Sequence, residues 1–236
     1  MWGGRLEPQI LQLVKAQNPD ILCLQEAIDL KGGNGAMFVS TEEIQEAIGA
    51  EHVFMSPVFT LNYMSRKANF GNCIISKYPI KTTETIFTGE NYIEDFELLN
   101  HSFNVRNLQH ALIELPDGSE LNILNHHGHH VRQHKNGDSE TMRQCGIIAD
   151  KITELDGKVI LAGDFNLAPH SGSLEQINSL LTNLAVEANL DTTRTQLTHK
   201  TEVCDYIFVS NEIKVGSFKA LDDIVSDHKA LVMEFE

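Results

Sequence analysis

No stretch of this sequence approaches the roughly 20 consecutive apolar residues needed to cross a bilayer, so a membrane span is not expected. The start, Met1-Trp2-Gly3-Gly4-Arg5, runs straight into a polar, helix-like segment. That is not the apolar core of a signal peptide, and a cytoplasmic location is the expectation. Cysteine is sparse and unpaired. Cys23, Cys73, Cys145 and Cys204 are scattered beside apolar neighbours with no CxxC spacing, which fits small buried thiols in a reducing compartment. Positive charge is scarce as well: 18 Lys+Arg stand against 33 Asp+Glu, a net charge of −15 with no basic run. Proteins that grip long nucleic acid usually display a basic face, so binding of extended duplex DNA is not expected. Carboxylates gathered around divalent metals would also raise the acidic count. Internal repeats, low-complexity tracts and linkers are absent, which leaves one domain over 1–236 as the simplest organisation.

What is present is ordinary globular composition, 42% hydrophobic and 22% charged over 236 residues, enough to bury a real core. Leu6, Ile10, Leu13 and Val14 form a helical stripe that stops before Asn18-Pro19. Ile21–Leu24 reads as a buried strand, Lys31–Gly35 as a Gly-rich loop, and Ser40 with Glu43 as a capping box opening a short helix. Strands are expected at Val53–Phe59, Cys73–Ser76 and Ile80–Ile86. Ala111–Leu115 and Leu121–Leu124 flank Pro116-Asp117-Gly118 as a hairpin. One amphipathic helix carries Met142, Cys145, Ala149 and Ile152, and a second carries Leu174, Ile177, Leu180, Leu181 and Leu184. Val159–Leu161, Tyr206–Val209 and Ala230–Phe235 complete the strands. Hairpins mixed with helices favour an α/β sandwich with antiparallel or mixed sheets.

One pattern recurs: an apolar strand flanked by acids, amides and imidazoles. It occurs at Gln25-Glu26, Asn125-His126-His127, Gly163-Asp164-Phe165-Asn166, Cys204-Asp205 and Ser226-Asp227-His228. Strand ends are rigid platforms, and polar groups raised from several of them can converge on one cleft. Phosphoester hydrolysis calls for such a set. A hard cation takes carboxylate oxygens and keeps water, a base activates the water, and cationic or amide donors hold the phosphate.

The ordered motifs Pro19-Asp20-Ile21-Leu22-Cys23-Leu24-Gln25-Glu26, Phe70-Gly71-Asn72-Cys73-Ile74-Ile75-Ser76, Gly163-Asp164-Phe165-Asn166, Cys204-Asp205-Tyr206-Ile207-Phe208-Val209-Ser210 and Ser226-Asp227-His228 span nearly the whole chain. Together they resemble the endonuclease/exonuclease/phosphatase superfamily of deoxyribonuclease I-like phosphohydrolases. The resemblance implies a four-layered α/β sandwich, two packed sheets with helices outside. It implies Mg²⁺-dependent hydrolysis of a phosphoester, by a nuclease, phosphodiesterase or phosphatase, with Mn²⁺ as an alternative ion. Glu26 resembles the metal carboxylate and Asp227 an outer or second metal ligand. Asp164 resembles the residue that positions or deprotonates water, and Asn166 the amide on the phosphate. His228, oriented by Asp205, resembles the imidazole facing the scissile phosphate, and His127 matches a phosphate-contacting position. Asn72 is a candidate substrate-binding residue. Arg106 is a candidate phosphate clamp, since guanidinium suits bidentate contact, with a solvated surface arginine as the alternative.

Two features depart from the family pattern. Family members open with a strand ending in an Asn that contacts the catalytic centre. Met1-Trp2-Gly3-Gly4-Arg5 resembles the segment just after that Asn, so the expectation is a chain shortened at its N-terminus and lacking that first strand. The second departure is Asn125–His130, with four histidines among six residues, and His134 beyond. A zinc hydrolase built on His126–His130 is one alternative function, and a catalytically impaired member acting as a binding module is another. Loops Lys31–Val39, Ser65–Asn69 and Thr88–Asn104 would select substrate. The acids Glu90, Glu94, Asp95 and Glu97 favour a small phosphoester or a nucleic-acid end over a duplex.

Overall fold

The expected stripe at the start of the chain forms helix α1 (Glu7–Gln17), with Pro8 in its first turn and Asn18 closing it in the left-handed conformation. The structure, a computed structural model, describes residues 6–30, 39–63, 66–97, 99–102 and 104–236. Met1–Arg5 and the loop Lys31–Gly35 lie outside the described residues, as do parts of the three candidate substrate loops. Strand β1 (Ile21–Leu30) is followed by α2 (Thr41–Ile48), whose capping box is present: Glu43 N–H donates to Ser40 Oγ at 3.2 Å and Ser40 N–H to Glu43 Oε2 at 2.8 Å. Strands β2 (His52–Tyr63) and β3 (Arg66–Ser76) complete an antiparallel sheet of order β1-β3-β2. Val14, Ile44 and Ile48 from the two helices pack on Ala27, Cys73 and Ile75 of its outer face.

The second sheet begins with β4 (Ile80–Phe87) and the hairpin of β5 (Asn107–Glu114) and β6 (Glu120–His127). Helix α3 (Ser139–Thr153), capped by Asp138 and Thr141, carries the chain over to β7 (Lys158–Asp164), which pairs parallel with β6. At Gly163 the two strands come so close that a Cβ would sit 2.0 Å from His126 O, and only glycine fits such an approach.

The second amphipathic helix is a correction. Instead of one helix through Leu174–Leu184, the chain makes a 3₁₀ turn, then α4 (Glu175–Leu180), β8 (Thr182–Asn183) and α5 (Leu184–Glu187). Leu181 is extended, and Thr182 and Asn183 pair with Val209 and Phe208 of β9 (Asp205–Val209). Asn183 also accepts from Val186 N–H as the N-cap of α5. Sheet-edge bonding and capping together outweigh continued helix. The sheet order is β4-β5-β6-β7-β9-β8, and β10 (Val215–Ala220) with β11 (Leu231–Phe235) makes a separate pair.

Alternation along each strand divides the apolar residues between two layers. Leu121 and Ile123 of β6 face the first sheet, meeting Ile74, Cys23 and Phe54. Leu124 of the same strand faces α3 and α4, meeting Ile148 and Ile177. The result is the expected four layers, with helices outside two packed sheets. All four cysteines are free, and Cys73, Cys145 and Cys204 are buried. No described helix is long and apolar enough to cross a membrane.

At one end the layer between the sheets turns polar. Asn125 on β6 donates to Leu24 O at 3.0 Å and to Gln109 Oε1 at 2.9 Å, and accepts from Gln25 Nε2 at 2.7 Å. Asn72 on β3 donates to Asn107 Oδ1 at 2.8 Å, and Asn107 in turn donates to Ser56 O at 3.1 Å. These side chains satisfy one another, as buried amides must.

Candidate active site

The polar end of the sandwich is where β6 and β7 finish and β9 begins. Main-chain bonds lock those ends together: Gly128 N–H donates to Asp164 O at 2.7 Å and Phe165 N–H to Cys204 O at 2.9 Å. Asp164 closes β7, and its Oδ1 accepts from Asn166 N–H at 2.8 Å, holding Asn166 in the left-handed conformation. Asp205 opens β9 and takes His228 Nδ1–H at 2.8 Å and the Thr193 hydroxyl at 2.5 Å. The other imidazole nitrogen, Nε2, lies 3.7 Å from Asp164 Oδ2 and 3.9 Å from Asp227 Oδ2, with Arg194 Nη1 against it. His127, closing β6, places Nε2 4.0 Å from the same Asp164 oxygen.

Arg106 is 5% exposed, which removes the surface-arginine alternative. Its Nε donates to Gly128 O at 2.8 Å, and Asn166 Nδ2 reaches that carbonyl at 3.2 Å, so the two side chains share an anchor. Glu26 comes from the other sheet. The β1–β3 register shifts between Leu24 and Ala27, and Glu26 sits in that bulge with φ 54°, exposed. A non-glycine residue held there is strained, and bulges re-aim side chains. Asn72, an expected substrate-binding residue, is 2% exposed and spends its amide on Asn107 within the inter-sheet network.

Charge at the site follows from burial and neighbours. Burial pulls the Arg106 guanidinium down to about 10 against the charges of Glu26 and Asp164, and it remains a cation at neutral pH. Burial opposes ionisation of Asp164, yet His228, His127 and Arg194 hold it well below the usual carboxylate range. Burial and Asp164 together raise Asp205, with the His228 hydrogen bond opposing. His228 is driven down by burial but carried up to about 9 by Asp164 and Asp205. His127 is kept neutral, well below its ordinary value, chiefly by burial and Arg106.

The four histidines of the cluster do not converge. His126 turns to the opposite face, its ring 5.2 Å from Phe165 and its Nδ1 3.2 Å from Asn107 O. His129 Nε2 pairs with Asp138 at 3.8 Å, and His130 Nε2 lies 3.4 Å from Lys200. Among the described residues, Asp164, Cys204, Asp205 and His228 bring one ligand atom each to within 4.8 Å of one another. Two of these are poor ligands. Burial raises the Cys204 thiol far above neutrality, and Asp205 is already occupied by His228 and Thr193. That leaves Asp164 and His228 of the four; the carboxylates expected to hold a cation, Glu26 and Asp227, lie outside this group, and carboxylate oxygens fit a hard divalent cation better than zinc.

Two cations were not anticipated from the sequence. Lys135, 6% exposed, donates to Asn166 Oδ1 at 2.6 Å. Arg194, 5% exposed, lies beside His228 because Thr195 N–H bonds Asp227 O and Lys229 N–H bonds Thr193 O. Both stand singly in loops, where no spacing marks them.

The model of the Endonuclease/Exonuclease/phosphatase family matches residues 1–228. Among curated proteins, no sequence matches significantly. Among solved structures, the chain resembles an endonuclease/exonuclease/phosphatase from Beutenbergia cavernae, with TM-score 0.72, 17% identity, and coverage of 97% of this chain but 65% of that one. It also resembles the Bacteroides thetaiotaomicron mannosyl-6-phosphatase, with TM-score 0.72, 19% identity, and coverage of 99% and 91%. A third likeness is to ANGEL2, a 2′,3′-cyclic phosphatase, with TM-score 0.71, 15% identity, and coverage of 97% and 84%. At these identities the likeness is one of fold.

Proposed function

Because the chain belongs to the endonuclease/exonuclease/phosphatase family, we propose that it hydrolyses a phosphoester with the help of a divalent cation, Mg²⁺ or Mn²⁺. The observation that carries this is the Asp205–His228–Asp164 arrangement facing buried Arg106 at adjoining strand ends. Glu26 and Asp227 would hold the cation, which when bound neutralises charge on the phosphoryl oxygens. Asp164 orients the attacking water. A carboxylate held so far below its usual range accepts protons weakly, so orientation is its larger contribution. Asp205 holds the charged His228 ring in place through Nδ1 and leaves Nε2 to meet the phosphate. Neutral His127 and the Asn166 amide hydrogen-bond phosphoryl oxygens, and Arg106 supplies fixed positive charge. With a net charge of −15, the substrate we assign is a small phosphoester or a nucleic-acid end, not an extended duplex.

The test is hydrolysis of p-nitrophenyl phosphate and bis-p-nitrophenyl phosphate with Mg²⁺, Mn²⁺, Zn²⁺ or EDTA. We expect turnover with Mg²⁺ or Mn²⁺ that EDTA abolishes and that falls about 10²–10⁴-fold in Asp164→Asn and in His228→Ala. Hydrolysis that survives EDTA, or both variants retaining wild-type rates, would sink the reading.

A further inference from the structure

We propose that Lys135 and Arg194 make this site selective for the terminal phosphate of a phosphomonoester over an internal phosphodiester, an inference that rests on the hydrolase reading above. Neither residue belongs to the motifs that carry the family resemblance, and both are buried within the site. Lys135 is held from two sides: its carbonyl accepts Ala168 N–H at 2.7 Å, and its Nζ reaches Asn166 Oδ1 at 2.6 Å. The ammonium is thereby fixed on the amide assigned to the phosphate. Arg194 has Nη1 against His228 Nε2 and 3.9 Å from Asp227 Oδ2. Its Nε is buried without a hydrogen-bond partner among the described residues, an unusual state for a guanidinium donor.

The charge balance points the same way. Arg106, Lys135 and Arg194 are 5%, 6% and 5% exposed, and the buried carboxylates beside them among the described residues are Asp164 and Asp205. Asp205 is taken by His228 and Thr193, so of these two only Asp164 is left to answer three buried cations. Glu202 feels Arg194 and Lys135 too, but from an exposed position. Glu26 and Asp227 are the carboxylates for the divalent cation. A chain with 33 acidic residues has no shortage of carboxylates, so this cationic excess is a property of the cleft.

A phosphomonoester at neutral pH brings three non-bridging oxygens and a charge of about −1.5 to −2. A diester brings two such oxygens and a single charge, with a second organic group where the third oxygen would be. Bound here, it would leave a buried cation unanswered, which is costly. Sites discriminate most strongly when the wrong substrate strands a buried polar group. In the favoured reaction a bond forms between the water oxygen and phosphorus and the bond from phosphorus to the ester oxygen breaks. One proton from water passes to the leaving alcohol, and inorganic phosphate is released.

The experiment uses the full chain with Mg²⁺ and two readouts. One is kcat/KM for p-nitrophenyl phosphate and for bis-p-nitrophenyl phosphate. The other is calorimetric binding of inorganic phosphate and of dimethyl phosphate. We expect the wild type to bind inorganic phosphate at least about tenfold more tightly than dimethyl phosphate. Lys135→Gln should lower the monoester-to-diester ratio of kcat/KM about tenfold, the scale of one charged hydrogen bond, and Lys135→Arg should restore most of it. A merely structural Lys135 would depress both substrates equally, and that result overturns the proposal, as does equal binding of the two phosphates by the wild type. If neither ester is hydrolysed, the hydrolase reading fails, and the binding comparison still decides selectivity. If Lys135→Gln does not fold, Lys135→Arg and the wild-type binding decide.

Discussion

Asp205 touches no substrate in this scheme, yet it governs the residue that does. It accepts the His228 Nδ1 proton at 2.8 Å and, with Asp164, carries the imidazole up to about 9. A raised value means that the charged form persists through neutral pH and is lost above about 9. Asp205→Asn removes one of the two charges and weakens the acceptor. We therefore expect kcat to fall about 10²-fold and the alkaline limb of the pH–rate profile to move down toward the ordinary histidine value near 6.5. The loss should be larger at pH 8 than at pH 6, and rate profiles of the two proteins across that range check it. An unmoved limb would mean that another group sets it.

At the scale of elements, the close pass of β6 and β7 sets the positions of His127 and Asp164. A methyl at Gly163 would meet His126 O at 2.0 Å, backbone against backbone, with no flexible end to yield. Gly163→Ala should destabilise by about 2–3 kcal/mol, read from urea denaturation, and should lower activity along with stability. Short-range signals made most of these elements legible. The Ser40–Glu43 capping box, the Pro116-Asp117-Gly118 turn and the apolar strand runs each act within a few residues, so the sequence displays them directly. Most of the candidate site was legible for a related reason, since its residues sit at strand ends beside recognisable apolar runs. The parts that stayed hidden depend on distant partners. The break at Leu181 comes from pairing of Thr182 and Asn183 with β9. Strand β10 exists through its pairing with β11. Asn72 turns inward because Asn107 awaits it on the other sheet. Lys135 and Arg194 are single cations in loops, and only the packed chain shows that they are buried at the site.

The whole molecule carries a built-in sensitivity to acid. Burial, opposed by the Asn107 carbonyl and reinforced by Arg106, lowers His126 to about 4, and burial with Lys135 and Lys200 lowers His130 to about 4. The unfolded chain takes up these protons near 6.5, whereas the folded chain takes them up only near 4. Between those values the unfolded state binds more protons, so stability falls as pH drops from about 6.5 to 4 and levels off below. For fully buried His126 this amounts to about 3 kcal/mol. His126→Gln should flatten that slope, measured as urea midpoints at pH 7 and pH 4.5. An unchanged slope would assign the acid response elsewhere. The polar amides between the sheets have a mechanical consequence of another kind. Apolar contacts are non-directional and let two surfaces slide, whereas hydrogen bonds hold them in register. The sandwich is thus bound like a book whose spine lies along Gln25, Asn72, Asn107 and Asn125, next to Glu26 on one cover and His127 on the other. The two halves of the active site lie along that spine, and its directional bonds keep their spacing.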